Sequence, residues 1–389
     1  MPRVLLLATT TGYQTRAFGE AAERLGVQLV FATDRCHMID DPWRDEAIPI
    51  RFYDEAPSVA AILESARLRP LDGVLVVGDR PAAIGARVQQ ALGLPGHPPD
   101  AAAAAGNKQT TRKRLREGGL AVPWSVSTAM EADASVLAAS VTYPCVVKPL
   151  ALSGSRGVMR ADNTKEFIES FHRLRTLLRS TEIRAERNDA HEMAMVESFI
   201  PGGEYALEGV LEHGVLRTLA LFDKPDPLDG PFFEETIYVT PSTASEDVQR
   251  AIVNAVARAA DALGLRHGPI HAECRVNDEG VFVLEVAARP IGGLCARALR
   301  FQKGAIRLFS LEELLLRHAL GESLAGWTRE TRASGVMMIP IPRRGILRHV
   351  DHVDQAPGGW VLTCSVWLDV VGRGQALRGT ARVYLPGES

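Results

Sequence analysis

The sequence has little cysteine and pairs none of it. Its five cysteines in 389 residues, Cys36, Cys145, Cys274, Cys295 and Cys364, are scattered, odd in number and form no CxxC pair. They support neither a disulfide framework nor a thiolate zinc site and fit a reducing, cytoplasmic setting. Aromatic residues are only 6%, too few to suggest a base-stacking surface. The formal net charge is −3 and no long basic stripe occurs, which removes the electrostatic case for a nucleic-acid partner. No uncharged apolar run approaches the roughly 18 residues a membrane helix needs. The amino terminus MPRVLLLATTTGYQ reads as strand and turn entering a helix, not as a signal peptide. A soluble protein with no membrane partner is expected. Two nucleotide signatures are also missing: the first turn is TTTGY rather than GxGxxG, and no GK[ST] follows a glycine-rich loop.

What is present is length enough for two or three domains. Residues 3–33 read as strand, helix, strand, and LDGVLVVGD (71–79) with the following PAAIGARVQQALGL adds another strand and helix, so the first region is α/β with a parallel sheet. GHPPDAAAAAGNK (96–108) is rich in Pro and Ala and marks a boundary. A basic helix, NKQTTRKRLREGGL, follows and is closed by Gly118-Gly119. YPCVVKP (143–149) reads as a strand, ALSGSRGV (151–158) as a glycine-rich loop, and Lys165 to Leu178 as a helix. MAMVESFI, EYALEGVLE and VLRTLALFD read as three consecutive antiparallel strands joined by the turns PGG and HG. The segment 246–264 is an amphipathic helix with Val248, Ile252, Val256, Ala259 and Leu263 on one face.

HAECRVNDEGVFVLEVAARPIGG (271–293) reads as a β-hairpin. A three-residue loop, Asp278-Glu279-Gly280, would set Asn277 opposite Val281 and therefore Glu273 opposite Glu285. His271, Glu273, Arg275 and Glu285 would share a wet or functional face. Ala272, Cys274, Val276, Phe282, Leu284 and Val286 would face the core. Like charges directly opposite in a sheet repel, so something positive should sit between the glutamates. Arg289 could neutralise them; Mg²⁺ bridging phosphate oxygens, with Arg289 left for a developing oxyanion, is the sharper reading.

Other residues point the same way with less force. Lys148 closes an apolar strand just before the loop Ser153, Gly154, Ser155, Arg156, Gly157, whose backbone N–H groups could approach an anion; an ordinary turn is the plainer reading. Lys108 opens the basic helix, where the macrodipole opposes a cation and a phosphate would reverse the balance. Arg112, Lys113, Arg114 and Arg116 read as a solvated face. Glu197 interrupts an apolar strand, and Glu204 and Glu208 fall on one face of the next.

Taken in order, GNKQTTRKRLREGGLAVP, YPCVVKPLALSGSRGV, MVESFIPGGEYALEG and HAECRV with FVLEVAARPIGG resemble the ATP-grasp superfamily over about residues 100–300. Within it, LFDKPDPLDGPFFEETIYVTPS (221–242), RPIGGLCARAL (289–299) and SGVMMIPIPRRGILR (334–348) resemble the L-amino acid ligase group of carboxylate–amine ligases. The resemblance implies an α/β and α+β architecture: a Rossmann-like pre-ATP-grasp domain (1–100), two ATP-grasp lobes (101–192 and 193–325) that grip ATP, and a small C-terminal subdomain (326–389). The tail ends at RGTARVYLPGES, where the family's terminal domain continues for another strand and helix.

The resemblance also implies roles. Lys108 and Lys148 would bind the α- and β-phosphates, and Ser153 to Gly157 would form a mobile lid. Glu197 with the backbone of Ser198, Phe199 and Ile200 would recognise adenine, and Glu204 the ribose. Glu273 and Glu285 would hold Mg²⁺, with Mn²⁺ as an alternative. Arg289 would stabilise an acyl phosphate and the tetrahedral intermediate, with His271 and Lys224 as further phosphate or substrate contacts. Ala287 stands where the family usually has a metal-ligand Asn. The implied reaction is ATP-dependent amide formation between small-molecule carboxylate and amine substrates through an acyl phosphate. A homodimer is common in the superfamily, although no residue here demands one. Two alternatives are a relative that activates bicarbonate or formate and a catalytically silent ATP-binding paralogue.

Overall fold

The computed structural model describes residues 1–9, 13–34, 47–233, 235–292, 294–304 and 307–338, together with the backbone of 361–370 and 375–383. Strands Arg3–Ala8 and Gln28–Thr33, joined through helix Tyr13–Leu25, and strand Gly73–Val77 with helix Ala82–Leu92 build the expected parallel α/β layer. The sheet order is Ala47–Pro49, Gln28–Thr33, Arg3–Ala8, Gly73–Val77. The chain therefore steps outward in one direction from Arg3–Ala8 and later returns to its other side. Crevices at such reversals, outside the carboxyl ends of the strands, are where open α/β sheets bind ligands.

The Pro- and Ala-rich stretch is structured. Pro99–Ala105 is a helix whose Ala101, Ala102, Ala104 and Ala105 are buried. Their small side chains let it lie within one continuous core that runs from Leu5, Leu7 and Val74 to helix Glu246–Leu263 and strand Gly268–Asn277. Helix Glu246–Leu263 has Ser245 as N-cap and Gly264 in the left-handed conformation at its end. It buries Ile252, Val256 and Leu263, each worth about 1.5–3 kcal/mol; a charge at Val256 would unseat it.

MAMVESFI, EYALEGVLE and VLRTLALFD do not form one sheet. Met193–Ser198 lies between Ser125–Ala129 and Cys145–Pro149 in a four-stranded sheet, with Met159–Ala161 at the far edge. Gly203–Glu212 and Val215–Lys224 belong to an eight-stranded sheet. The PGG segment is thus a crossover between lobes rather than a hairpin turn, and two adjacent apolar strands cannot reveal which sheet each joins. The HG turn is a hairpin, with Glu212 opposite Val215 and both His213 and Gly214 at positive φ, the geometry that suits two-residue loops. The small lobe packs its own core from Val147, Phe167, Phe171 and Leu174.

The 271–293 hairpin reaches the expected pairing by another route. Its turn has two residues, Asp278 and Glu279, so Asn277 pairs with Gly280 and Cys274 with Val283. A bulge between Glu273 and Cys274 then restores Glu273 opposite Glu285. The shift puts Val281 and Val283 on the core side, in place of Phe282 and Leu284. The two errors of one residue cancel at the glutamates and at the pairs beyond them, Ala272 with Val286 and His271 with Ala287, and leave the pairs nearer the turn shifted.

Strand Ser334–Met338 pairs with Ile237–Thr240 and, in parallel, with Val361–Val370, which pairs with Gln375–Val383. The motif 334–348 falls within the described residues only to Met338. Among the described residues no helix is long and apolar enough to cross a membrane.

Candidate active site

The basic helix is Lys108–Glu117, capped by the Asn107 side chain on the Thr110 N–H. Lys113 and Arg116 face solvent, whereas Arg112 is among the most deeply buried side chains, contrary to a solvated face. Its guanidinium donates to both Glu197 oxygens, at 3.0 and 3.3 Å, and to the carbonyls of Val283 and Leu284. Glu197 also pairs with Lys148. Burial alone would raise the Glu197 carboxyl, but Arg112 and Lys148 outweigh it and hold it at about 2. Desolvation, with Arg112 and Lys108 nearby, pulls Lys148 down to about 8 despite Glu197. Glu197 is therefore the buried anchor for two cations.

Lys108 Nζ donates to the Leu152 carbonyl at 2.8 Å and stands 3.4 Å from Glu285. It thus connects the glycine-rich loop to the carboxylate hairpin. In that loop Gly154, Ser155 and Gly157 all have positive φ. A Cβ on Gly157 would sit 2.9 Å from Leu177 and 3.0 Å from Leu174.

On the same sheet as the hairpin, Lys224 lies 2.6 Å from Glu204 and 3.0 Å from Glu273. Arg275 also donates to Glu204, at 3.0 Å, to the Ile200 carbonyl at 2.8 Å, and to the Leu228 carbonyl. Burial would raise Glu273, but Lys224 and His271 hold it well below the usual carboxylate range. Lys224 is pushed up by Glu273 and Glu204 against the cost of its burial. His271 lies 3.4 Å from Glu208 and 3.9 Å from Glu273. Desolvation would lower it; these two carboxylates raise it to about 9. Glu208 is fully buried and accepts a hydrogen bond from the Ile291 N–H at 3.0 Å.

Arg289 does not lie between the two glutamates as their neutraliser. It donates from Nε and Nη2 to both oxygens of Asp79, at 2.8 and 3.2 Å. The lysines supply the positive charge expected beside the hairpin. Ser198, Phe199 and Ile200 form the crossover between sheets; the Phe199 N–H donates to the Pro144 carbonyl. The Phe199 ring is flanked by Arg160 at 4.2 Å and Arg275 at 5.1 Å. Ala287 is buried. Glu234 and Gly293 lie outside the described residues.

The charged side chains thus fall into neighbouring groups: Lys108 with Glu285, Lys148 and Arg112 on Glu197, Lys224 and Arg275 on Glu204 with Glu273, and Arg289 on Asp79. Sequence reasoning missed Asp79 and read Arg112 as solvated, whereas Arg275 was placed on the wet or functional face without a stated role. The only signal for Asp79 was its place after an apolar strand, at the turn VGD. Among the described residues no three His, Cys, Asp or Glu side chains are arranged as a ready metal site. Glu273 and Glu285 fit Mg²⁺ in donor chemistry, since that ion commonly takes one or two carboxylates and completes its shell with water and phosphate oxygens.

Residues 141–298 match the family described as ATP-grasp domain, and residues 19–96 the one described as ATP-grasp N-terminal domain. The chain belongs to the ATP-grasp superfamily. The crystal structure of L-amino acid ligase from Bacillus licheniformis superposes with a TM-score of 0.72 at 28% identity, covering 88% of this chain and 81% of that one. Uncharacterized protein y4rH of Sinorhizobium fredii (strain NBRC 101917 / NGR234) is 26% identical over 92% of this chain and 72% of its own length. Alanine–anticapsin ligase of Bacillus subtilis (strain 168) is 25% identical over 61% of this chain, which spans 52% of that relative.

Proposed function

We propose that this chain is an ATP-dependent carboxylate–amine ligase that forms an amide between amino acids or similar small metabolites, releasing ADP and phosphate. The observation that carries this reading is the facing pair Glu273 and Glu285, set between a lysine-rich phosphate side and Arg289. Its likeness to an L-amino acid ligase over most of both chains supports the substrate class. Residues 1–100 would supply one wall of the cleft, 101–192 and 193–325 the two gripping lobes, and 326–389 the C-terminal subdomain.

In the proposed reaction an oxygen of the substrate carboxylate forms a bond to the γ-phosphorus. The bond from that phosphorus to the bridging oxygen breaks, and its electrons leave with ADP. The amine nitrogen then attacks the acyl carbon, phosphate departs with the C–O bonding pair, and the nitrogen loses a proton. Positioning and charge stabilisation should supply most of the rate. Lys108 and Lys148 would neutralise the phosphates. Glu197 and Arg112 would hold Lys148 in place, and the crossover at 198–200 would border the adenine. Glu273 and Glu285 would hold Mg²⁺ or Mn²⁺, which neutralises phosphate charge when bound. Lys224, itself held by Glu204, would with His271 keep Glu273 ionised and aimed, and His271 would present an imidazolium to anionic oxygens. The loop 153–157 would exclude water, which matters because an acyl phosphate hydrolyses.

Incubation with Mg-ATP and pooled amino acids, with single-pool omissions, tests this by mass spectrometry. ADP and phosphate formed only with two substrates, together with an amide mass, are expected. ADP formed with bicarbonate or formate instead, or nucleotide bound with no turnover in any pool, would contradict it.

A further inference from the structure

Asp79 follows strand Gly73–Val77 at its carboxyl end, beside strand Arg3–Ala8. These are the two strands between which the sheet order reverses, so Asp79 stands at the crevice where such sheets present functional groups. Gly78, at φ +96, turns the chain there; a Cβ on it would meet the Thr9 hydroxyl at 3.0 Å. From this turn Asp79 engages Arg289, 210 residues away in sequence, through two hydrogen bonds. Paired bonds of this kind fix the guanidinium plane as well as its distance.

Arg289 has competing acids. Glu285 and Glu208 also attract it, so its direction is decided by which carboxylate it pairs with. Burial would raise the Asp79 carboxyl, but Arg289, Lys108 and a hydrogen bond from Ser153 reverse this and keep it ionised. Asp79 therefore stands ionised opposite the arginine of the C-terminal lobe.

We propose that Asp79 is a positioning residue: it fixes the Arg289 guanidinium from the N-terminal sheet. Without the Asp79 charge, Arg289 turns toward Glu285 and Glu208. The proposal rests on the ligase reading for its kinetic consequence, but its geometric half does not need turnover.

The test uses the full chain as wild type, Asp79→Asn, Asp79→Glu, Arg289→Lys and the Asp79→Asn/Arg289→Lys double variant. The Nε–H resonance of Arg289, identified by its loss in Arg289→Lys, should exchange slowly with water in the wild type. It should exchange at least 10-fold faster in Asp79→Asn and be largely restored in Asp79→Glu. An unchanged exchange rate in Asp79→Asn overturns the positioning role. Because this readout needs no substrate, it decides the proposal even if the wild type forms no product and the ligase reading fails. With turnover, Asp79→Asn should lower kcat by about 10- to 100-fold, the scale of a misplaced catalytic group, leave ATP affinity within threefold, and add little to the loss in Arg289→Lys. Wild-type kcat with a raised KM for one amino acid would show that Asp79 binds substrate instead, and would overturn the proposal.

Discussion

Glu273 and Glu285 stand opposite one another across an antiparallel ladder, and each carboxylate has a lysine of its own. Lys224 is 3.0 Å from Glu273 and Lys108 is 3.4 Å from Glu285. The like-charge repulsion of the pair is thus answered by cations from two different elements, one of which also anchors the glycine-rich loop through the Leu152 carbonyl. The arrangement concentrates alternating charge where, on the proposed reading, a polyphosphate and its metal would sit.

Glu285→Gln should reduce turnover by at least 100-fold while leaving nucleotide binding measurable by calorimetry. The side chain is partly exposed and bonded only loosely to Lys108, so the fold should tolerate the change. Unaltered product formation would remove Glu285 from the metal site.

Lys148 has its native pKa drawn down to about 8, so the free protein loses this charge as pH rises through 8. ATP affinity should fall over that window. The unfolded chain keeps the proton up to the ordinary lysine range, so the same group lets stability rise with pH above 8. Calorimetric titration of ATP between pH 6.5 and 9.5 checks the first claim, and Lys148→Arg should flatten the profile.

Glu197 behaves in the opposite sense. Its native pKa of about 2 lies below the ordinary 4.5, so its contribution is present above pH 4.5 and is lost as pH falls toward 2. The shift corresponds to on the order of 3 kcal/mol. Urea unfolding of wild type and Glu197→Gln at pH 3 and pH 6 should show the variant less sensitive to acid, and less stable at pH 6 because Arg112 and Lys148 lose their buried partner.

His271, raised to about 9, is an imidazolium at neutral pH. Its stabilisation is complete below pH 6.5 and disappears as pH rises through 9. A histidine NMR titration should locate this pKa, and Glu208→Gln should lower it by at least one unit. An unshifted value in that variant would mean that Glu208 does not hold the proton.

Gly157→Ala should be more damaging than Gly154→Ala. Both positions require positive φ, which costs a residue with a Cβ about 1–2 kcal/mol, but only Gly157 has Leu177 and Leu174 in the way. Thermal unfolding and the KM for ATP of the two variants measure the difference.

Much of this molecule was legible because its signals are local. The apolar period of 246–264, the turn residues His213 and Gly214, and the lysine before a glycine-rich loop each announce their own geometry. Arg112 was not legible: in the run RKR nothing distinguishes the one arginine that turns inward to meet Glu197, 85 residues away. Asp79 needed the sheet order, and the PGG crossover needed to know that two neighbouring strands serve different sheets. The hairpin shows the limit most clearly, since composition located the paired glutamates while turn length and bulge, both backbone properties, were misread.

The most direct measurement follows an oxygen atom. With the acid substrate labelled with ¹⁸O in its carboxylate, one labelled oxygen should appear in inorganic phosphate for each amide formed, because the carboxylate must first bond to the γ-phosphorus. Amide formation with no label in phosphate, or with the label in AMP, would contradict the account.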